Sequence, residues 1–524
     1  MDTYDIGAFE RFCAGLVNEG FSPVPGTEQR EWSGPLPPSL RSLTPTTRMK
    51  IYFYDGWPLQ HARVVVEGLH SEHSAAGTIC LWADDDPAQV AGRDLKALWD
   101  RLDEWAALAQ KGFRVEDRAL DSYLVFERRS TSYRAELPFA DLTQHSSDGT
   151  LFGLIATIAG TSTLMIETQE RAGPPKQETS RLNGAFCLRR NIGTPPRNLG
   201  EVLDALTRRQ RLHLDRGLAR RSPARLAEPS GGLDFVVLAW SRHDTYDAMV
   251  LAFEDEDGTL RTSALPATSN DTGTRRRRAG PDADLLDCKK VLVAGAGSVG
   301  GHVAVALASA GVGRISLHDN DHLTSGNLVR HVCPKYLVGF PKTAAVSFVI
   351  GDHAPWTRTV LHDVLPHGQA ELTEQIDGVD LVVDCTGLFS LSAALAEICR
   401  RTGVPLVTGA LYHGGALARV QRQAEGDTPI AARPADPAYL DLPTEDPVAP
   451  SAGFLELGCT APVHNASPVA VLHTAAEISR TAVDLLTGRR QLPDERIIVH
   501  QALKPPFDRA GTYDGPRPEM DGTT

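Results

Sequence analysis

The stretch GAGSVG, residues 295–300, fits G-x-G-x-x-G between an apolar run, KKVLVA, and a helix-like run, HVAVALASAGV. Glycines at that spacing let backbone amides at a helix N-terminus approach a phosphate. Gly295, Gly297 and Gly300 are therefore candidate nucleotide-binding positions. Asp319 ends the next apolar run, 22 residues after Gly297, the distance at which an acid reaches a ribose hydroxyl. These features alone describe a dinucleotide site. The residues that follow argue for another nucleotide. DNDHLTSGNLVRH adds Asp321, Asn327 and Arg330, and VGFPKTAAV adds Lys342. A pyrophosphate bridge has little need of that set, whereas a triphosphate meeting a carboxylate needs such cations. VDLVVDCTG then ends a strand-like run at Asp384, where a carboxylate suits Mg²⁺. ATP and Mg²⁺ are the expected cofactors, with Arg330 and Lys342 as the catalytic cations that stabilise charge on the phosphates. Asp321 reads either as a nucleotide ligand or as an ordinary cap or loop residue.

Two cysteines have surroundings suited to nucleophilic chemistry. Cys459 lies in LELGCTAPVHNASPVAVLH, just before a helix-like run, and a helix N-terminus lowers a thiol pKa. A Pro-rich stretch, ARPADPAYLDLPTEDPVAPSAG, precedes it and reads as a long crossover loop. Cys333 is the next candidate nucleophile, while Cys385 and Cys399 read as strand and helix core. Cys80 lies in HSEHSAAGTICLW, behind His70 and His73. It reads as a thioester carrier or as a core cysteine of a non-catalytic domain.

Taken in order, GxGxxG, D-x-D, N-L-x-R, G-x-x-K and D-C-T resemble the ThiF-type adenylating fold, shared by ubiquitin-activating enzymes and sulfur-carrier adenylyltransferases. The resemblance covers about 275 to 490. It implies that Asp319 binds the ribose, that Asn327, Arg330 and Lys342 contact the ATP phosphates, and that Asp384 binds magnesium. It also implies an arginine reaching ATP from just before the domain. The run Arg275–Arg278 supplies one or is a solvated linker. In ubiquitin-activating relatives the catalytic cysteine sits in a crossover segment comparable to that of Cys459. The N-terminal region in turn resembles a ubiquitin-conjugating domain, whose active cysteine lies in G-x-I-C-L, as Gly77-Thr-Ile-Cys80-Leu does here. His70 falls at the family's histidine, but Ser71 and Glu72 replace its Pro-Asn. An ionised Glu72 cannot donate a hydrogen bond, so His73 is the candidate stand-in, as donor or general base. The whole resembles bacterial fusions of conjugating and activating domains, some from antiphage operons. It implies a relay from acyl-AMP to Cys459, then Cys80, then a lysine of a target protein. The implied acyl donor is the C-terminus of a ubiquitin-like protein or a nucleotidyltransferase. The alternatives are a sulfur-carrier adenylyltransferase, a non-catalytic nucleotide-binding scaffold and, more distantly, an NAD oxidoreductase.

Positioning these residues requires several domains, and 524 residues allow two to four. Residues 1–118 read as an α+β conjugating-like domain: a helix near Phe9–Glu19, strands in MKIYFYDGWP and ARVVVEGL, the cysteine loop, and a helix over 94–112. Residues 119–270 read as a mixed α/β middle region, for dimerisation or as an inactive adenylation-like segment. Its expected strands are LDSYLVFERR, LFGLIATI, STLMIE and LDFVVLAW, with one polar helix over 199–221. Residues 271–502 alternate strands and helices, predicting a doubly wound parallel sheet, closed by a glycine-capped helix over 474–489. Residues 503–524 read as a flexible tail. Lys plus Arg total 53 against 66 Asp plus Glu, a net charge of −13, which argues against nucleic-acid partners. The eight cysteines contain no CxxC pair, which excludes a zinc ribbon or disulfide framework and fits a reducing compartment. The longest apolar run, 151–166, is broken by Gly, Thr and Ser and falls short of a membrane span. A cytoplasmic homodimer is expected.

Overall fold

The computed structural model describes residues 3–69, 71, 73–75, 77–82, 87–113, 126–168, 181–192, 195–242, 245–366, 368–433 and 466–514. The chain forms two compact units, Met1–Asp271 and Thr272–Thr524.

The first unit contains two sheets. A helix, Ile6–Asn18, is capped by Asp5. Strands at Ser22–Pro23, Glu31–Pro35, Arg48–Tyr52 and Arg63–Val65 follow as an antiparallel meander. A short hairpin, Ser74–Ala75 with Thr78–Ile79, extends the sheet. Gly77 turns it at φ +80°, and a Cβ there would lie 2.5 Å from the Val66 carbonyl oxygen, so only glycine fits. The helix Leu95–Lys111 starts at Asp94, whose carboxylate accepts from Lys96 N–H and Ala97 N–H. Its inward positions Leu98, Leu102 and Trp105 join Trp32, Ile51, Val64 and Ile79 in one core.

The middle region forms an eight-stranded sheet, in which, among the described residues, four neighbouring strand pairs are antiparallel and three are parallel. The strands expected at 151–158, 162–167 and 233–240 form, as Leu151–Ala159, Thr163–Thr168 and Phe235–Arg242. Of the strand expected over 120–129, residues 120–125 lie outside the described residues, and 126–129 make only an isolated bridge, Arg129 to Ala264. The single helix expected over 199–221 is two helices, Leu199–Ala205 and Arg208–Ala219. Thr207 breaks it by forming a capping box with Gln210, which begins a new helix instead of continuing the old one.

The second unit has the expected parallel sheet. Its strands are β1 (Lys290–Ala294), β2 (Arg314–His318), β3 (Arg358–His362), β4 (Leu381–Asp384) and β5 (Leu406–Tyr412), in the order β3-β2-β1-β4-β5. Helices α1 (Ser298–Ala310), α2 (Lys342–His353), α3 (Gln369–Ile376) and α4 (Phe389–Thr402) connect them. Successive residues face opposite sides of a strand. Val291 and Val293 enter the core with Val303, Leu307 and Ile350, while Leu292 and Ala294 enter the core with Leu372, Ile376 and Leu395. Both faces are thus covered, as a parallel sheet requires. Antiparallel β6 (Leu417–Gln423) and β7 (Glu495–Val499) continue the sheet. Between them runs α5 (Pro468–Leu486), which begins six residues before the expected start because the Ser467 hydroxyl caps it. Gly488, at φ +72°, follows its end as expected. Within the segment expected to be a flexible tail, β8 (Gly511–Asp514) pairs with β7; residues 515–524 lie outside the described residues. No helix among the described residues is long and apolar enough to cross a membrane.

Candidate functional site

Ladder register builds the site. Ala294 pairs with His318 on one side and with Asp384 on the other. The C-terminal ends of β1, β2 and β4 are therefore level, and the residues that follow them share one edge of the sheet, the place where open α/β sheets bind ligands. Gly295 turns the chain from β1 into α1, with its N–H bonded to the His318 carbonyl at 2.8 Å. The turn is tight: a Cβ on Gly300 would lie 1.8 Å from the Gly295 carbonyl oxygen. In the first turn of α1, Ser298, Val299 and Gly300 have no carbonyl four residues earlier within the helix, so their N–H groups suit an anion.

Asp319 follows β2. Its Oδ2 accepts from Ala296 N–H at 2.8 Å and its Oδ1 from Asp321 N–H at 2.9 Å. A carboxylate has about four acceptor sites, so capacity remains for two ribose hydroxyls. Asn327 accepts from Thr324 N–H at 3.0 Å, shaping the turn Ser325–Val329 that ends at Arg330. The Arg330 guanidinium reaches the Ala466 carbonyl at 3.3 Å, just ahead of α5. Lys342 opens α2 with its ammonium 2.7 Å from Asp321 Oδ2. Asp384 is 1% exposed. Its Oδ1 accepts from Thr386 N–H at 3.0 Å and the Thr386 hydroxyl at 2.7 Å, and its Oδ2 from the hydroxyls of Ser392 and Thr408. These three hydroxyls and one amide N–H occupy the carboxylate's about four acceptor sites, so in this arrangement Asp384 has no lone pair left over for a cation.

Residues 277–488 match the ThiF family.

Among similar curated proteins, an uncharacterized protein, y4oA, of Sinorhizobium fredii is 30% identical over 224 residues, 39% of this chain and 37% of that one. A SAMP-activating enzyme E1 of Haloferax volcanii is 33% identical over 158 residues, 29% of this chain and 57% of that one. The chain thus spans from about a third to little more than half of these relatives' length. A crystal structure of E. coli MccB with ATP aligns with a TM-score of 0.35 and 18% identity, covering 44% of this chain and 64% of that one, a likeness too distant to bear on function.

Several residues of the matched segment carry no motif in the sequence. His331 is buried behind the glycine loop, with Nε2 2.9 Å from the Ala296 carbonyl and Nδ1 accepting from Cys333 N–H at 3.3 Å. That pattern assigns the proton to Nε2. Burial pushes the His331 pKa down, which keeps it neutral and in that tautomer. His302 contacts the Arg330 carbonyl at 3.2 Å. Thr386, Ser392 and Thr408 are the hydroxyls around Asp384. Only the DCT run hinted at the first of them.

The arginine run divides. Arg275 donates to the carbonyls of Asp352 and His353, and Arg276 pairs with Asp287 at 2.7 Å. Arg277 contacts Thr274. Arg278 is exposed. Cys333 is corrected as a nucleophile: it is buried, and burial pushes its thiol up to about 12. Cys399 is likewise buried in α4, with its thiol pushed up to about 12. Cys459 lies outside the described residues, as do His70 and Glu72. Among the described residues, no group of three or more His, Cys, Asp or Glu could hold a metal.

In the other unit, Cys80 is exposed and free. Its N–H donates to the His73 carbonyl at 2.9 Å, one step beyond the Ser74–Ile79 pair. The two residues thus face each other at the open end of the hairpin. His73 adopts φ +52°, a sparsely populated conformation for a residue with a Cβ. Its ring lies on Phe113, with centroids 4.5 Å apart.

Proposed function

We propose that the chain activates a protein C-terminus with ATP and passes it through two thioesters to a lysine. The observation that carries the proposal is the gathering of Gly295, Gly297, Gly300, Asp319, Arg330, Lys342 and Asp384 at the C-terminal edge of one parallel sheet, within the segment that matches the ThiF family. Asp319 orients the nucleotide through its ribose. The first turn of α1, Arg330 and Lys342 hold the phosphates. A carboxylate oxygen of the acyl donor attacks the α-phosphorus, an acyl–phosphate bond forms, and pyrophosphate leaves. Cations at the phosphates stabilise the charge that grows on the leaving group. The resemblance assigns Mg²⁺ to Asp384, which would have to release one of its hydroxyl donors to ligate the ion. When bound, that ion would supply further charge stabilisation.

The acyl-AMP then meets Cys459, whose thiolate displaces AMP. Cys80 takes the acyl group by thioester exchange, and a lysine amine of the target displaces Cys80 to give an amide. The order of helix, antiparallel meander, hairpin, Cys80 and helix supports reading the N-terminal region as the conjugating half. His73, across the hairpin from Cys80, is the candidate proton donor or acceptor. We place the protein in bacterial antiviral defence, on the resemblance to antiphage fusions.

The test uses the full chain with ATP, Mg²⁺ and a ubiquitin-like protein or nucleotidyltransferase encoded beside it. Cys459→Ala should abolish loading of both cysteines, seen as loss of thiol-sensitive adducts on non-reducing gels. Cys80→Ala should retain the adduct on Cys459 and lose the amide conjugate. Conjugates that persist in Cys80→Ala would refute the relay. ATP–pyrophosphate exchange without adducts, but with thiocarboxylate formed when a sulfur donor is added, would identify a sulfur-carrier adenylyltransferase instead.

A further inference from the structure

One residue holds both the backbone and the side chain of Lys342. The Lys342 N–H donates to the Asp321 carbonyl at 2.9 Å, and its ammonium is 2.7 Å from Asp321 Oδ2. A cation in the first turn of a helix faces the positive end of the helix dipole, so an anion beside it offsets an unfavourable placement. Asp321 is itself tied back to the glycine loop. Its N–H donates to Asp319 Oδ1, and Asp319 Oδ2 accepts from Ala296 N–H. The flanking chain is laddered as well, with Leu323 N–H to the Phe340 carbonyl and Gly339 N–H to the Leu323 carbonyl, both at 2.9 Å. A continuous hydrogen-bonded line therefore runs from the glycine loop through Asp319 and Asp321 to Lys342. The two acids play different parts in it. Asp319 turns its carboxylate to the loop, whereas Asp321 turns its carboxylate to the lysine. Lys342 is largely covered, with 13% of its side chain exposed, while Asp321 is open at 68%.

We propose that Asp321 is a positioning residue whose carboxylate stands in for the nucleotide's phosphates. The proposal rests on reading this edge as an ATP site. Without nucleotide, Asp321 keeps the Lys342 ammonium fixed at the edge of the site. An arriving triphosphate takes the ammonium over, and departing pyrophosphate returns it. The exchange is of ionic partners alone, and no covalent bond changes. Asp321 therefore competes with pyrophosphate for one cation, which lowers affinity for that product and speeds its release. This role differs from that of a nucleotide ligand, whose removal weakens binding.

The experiment is calorimetric titration of the full-length protein with inorganic pyrophosphate and, separately, with ATP and Mg²⁺. Asp321→Asn keeps the shape and the backbone acceptor but removes the charge. It should bind pyrophosphate about two- to fivefold more tightly, the range expected from an exposed ion pair. Asp321→Glu, which keeps the charge, should return towards the wild-type affinity. Equal or weaker pyrophosphate binding by Asp321→Asn, in a variant with wild-type melting behaviour, overturns the proposal while leaving the ATP site intact. If the wild type binds neither ATP nor pyrophosphate, the adenylation reading fails and takes this proposal with it.

Discussion

Gly300 is the residue at which substitution has the plainest consequence. A methyl group there would meet the Gly295 carbonyl oxygen at 1.8 Å and Cys385 Cβ at 3.1 Å. Neither neighbour is the far end of a flexible side chain, so the loop itself must open. Gly300→Ala should cost at least about tenfold in ATP affinity, equivalent to about 1.4 kcal/mol, read by equilibrium titration. His318 offers a second residue-scale prediction. It is 3% exposed at the end of β2, with its ring stacked on His362 at 4.3 Å. Burial, helped by the His362 charge, lowers its pKa to about 4. The unfolded chain takes up that proton near pH 6.5, so between pH 6.5 and about 4 the unfolded state holds more protons and stability falls as the pH is lowered. The loss from this residue approaches about 3 kcal/mol at the acid end. His318→Phe should flatten that slope in denaturant titrations at several pH values. An unchanged slope would show that His318 is not the group responsible. The candidate residues named by motif could be picked out of the sequence because the side-chain type itself suggests the chemistry. His331 was not, since a histidine's part here depends on the Ala296 carbonyl that the fold brings against it.

At the scale of elements, the strands of the parallel sheet were legible because each is a short apolar run buried on both faces. The break within 199–221 was not, because helical spacing continues through it. What decides there is a local competition at Thr207. Its hydroxyl accepts from Gln210 N–H at 3.2 Å, and the Gln210 side-chain oxygen accepts from Thr207 N–H at 3.0 Å. Gln210 is fully buried and also donates to the carbonyls of Thr150 at 2.8 Å and Leu188 at 3.1 Å. It thus ties the second helix to the sheet. Thr207→Ala removes one cap and should cost about 1 kcal/mol. Gln210→Ala also removes one of the two hydrogen bonds that each of those carbonyls accepts, the other coming from a backbone N–H, and should cost about 2 kcal/mol. Urea unfolding of the full chain measures both. Equal effects would mean that the box matters only as a cap and that the contacts to Thr150 and Leu188 contribute little.

On the scale of the molecule, the chain has two compact units, Met1–Asp271 and Thr272–Thr524, with separate cores. A unit with its own core is expected to unfold with its own transition. The proposed nucleotide residues all fall in the second unit. A ligand that binds only the native state of one unit stabilises that unit by about 2.7 kcal/mol at one hundred times its dissociation constant. For a unit of this size, that corresponds to roughly 5–10 °C in its melting temperature. Differential scanning calorimetry of the full chain should therefore show two transitions, of which ATP moves one. Leu98→Ala, which cuts a fully buried side chain from the N-terminal core, should lower the other by about 2–5 kcal/mol and so identify it. Gly300→Ala should cut the ATP shift to about half or less while leaving the transition that Leu98→Ala lowers in place. If ATP moves both transitions by the same amount, the units are coupled on unfolding. If it moves the one that Leu98→Ala lowers, the nucleotide site has been placed in the wrong half of the chain.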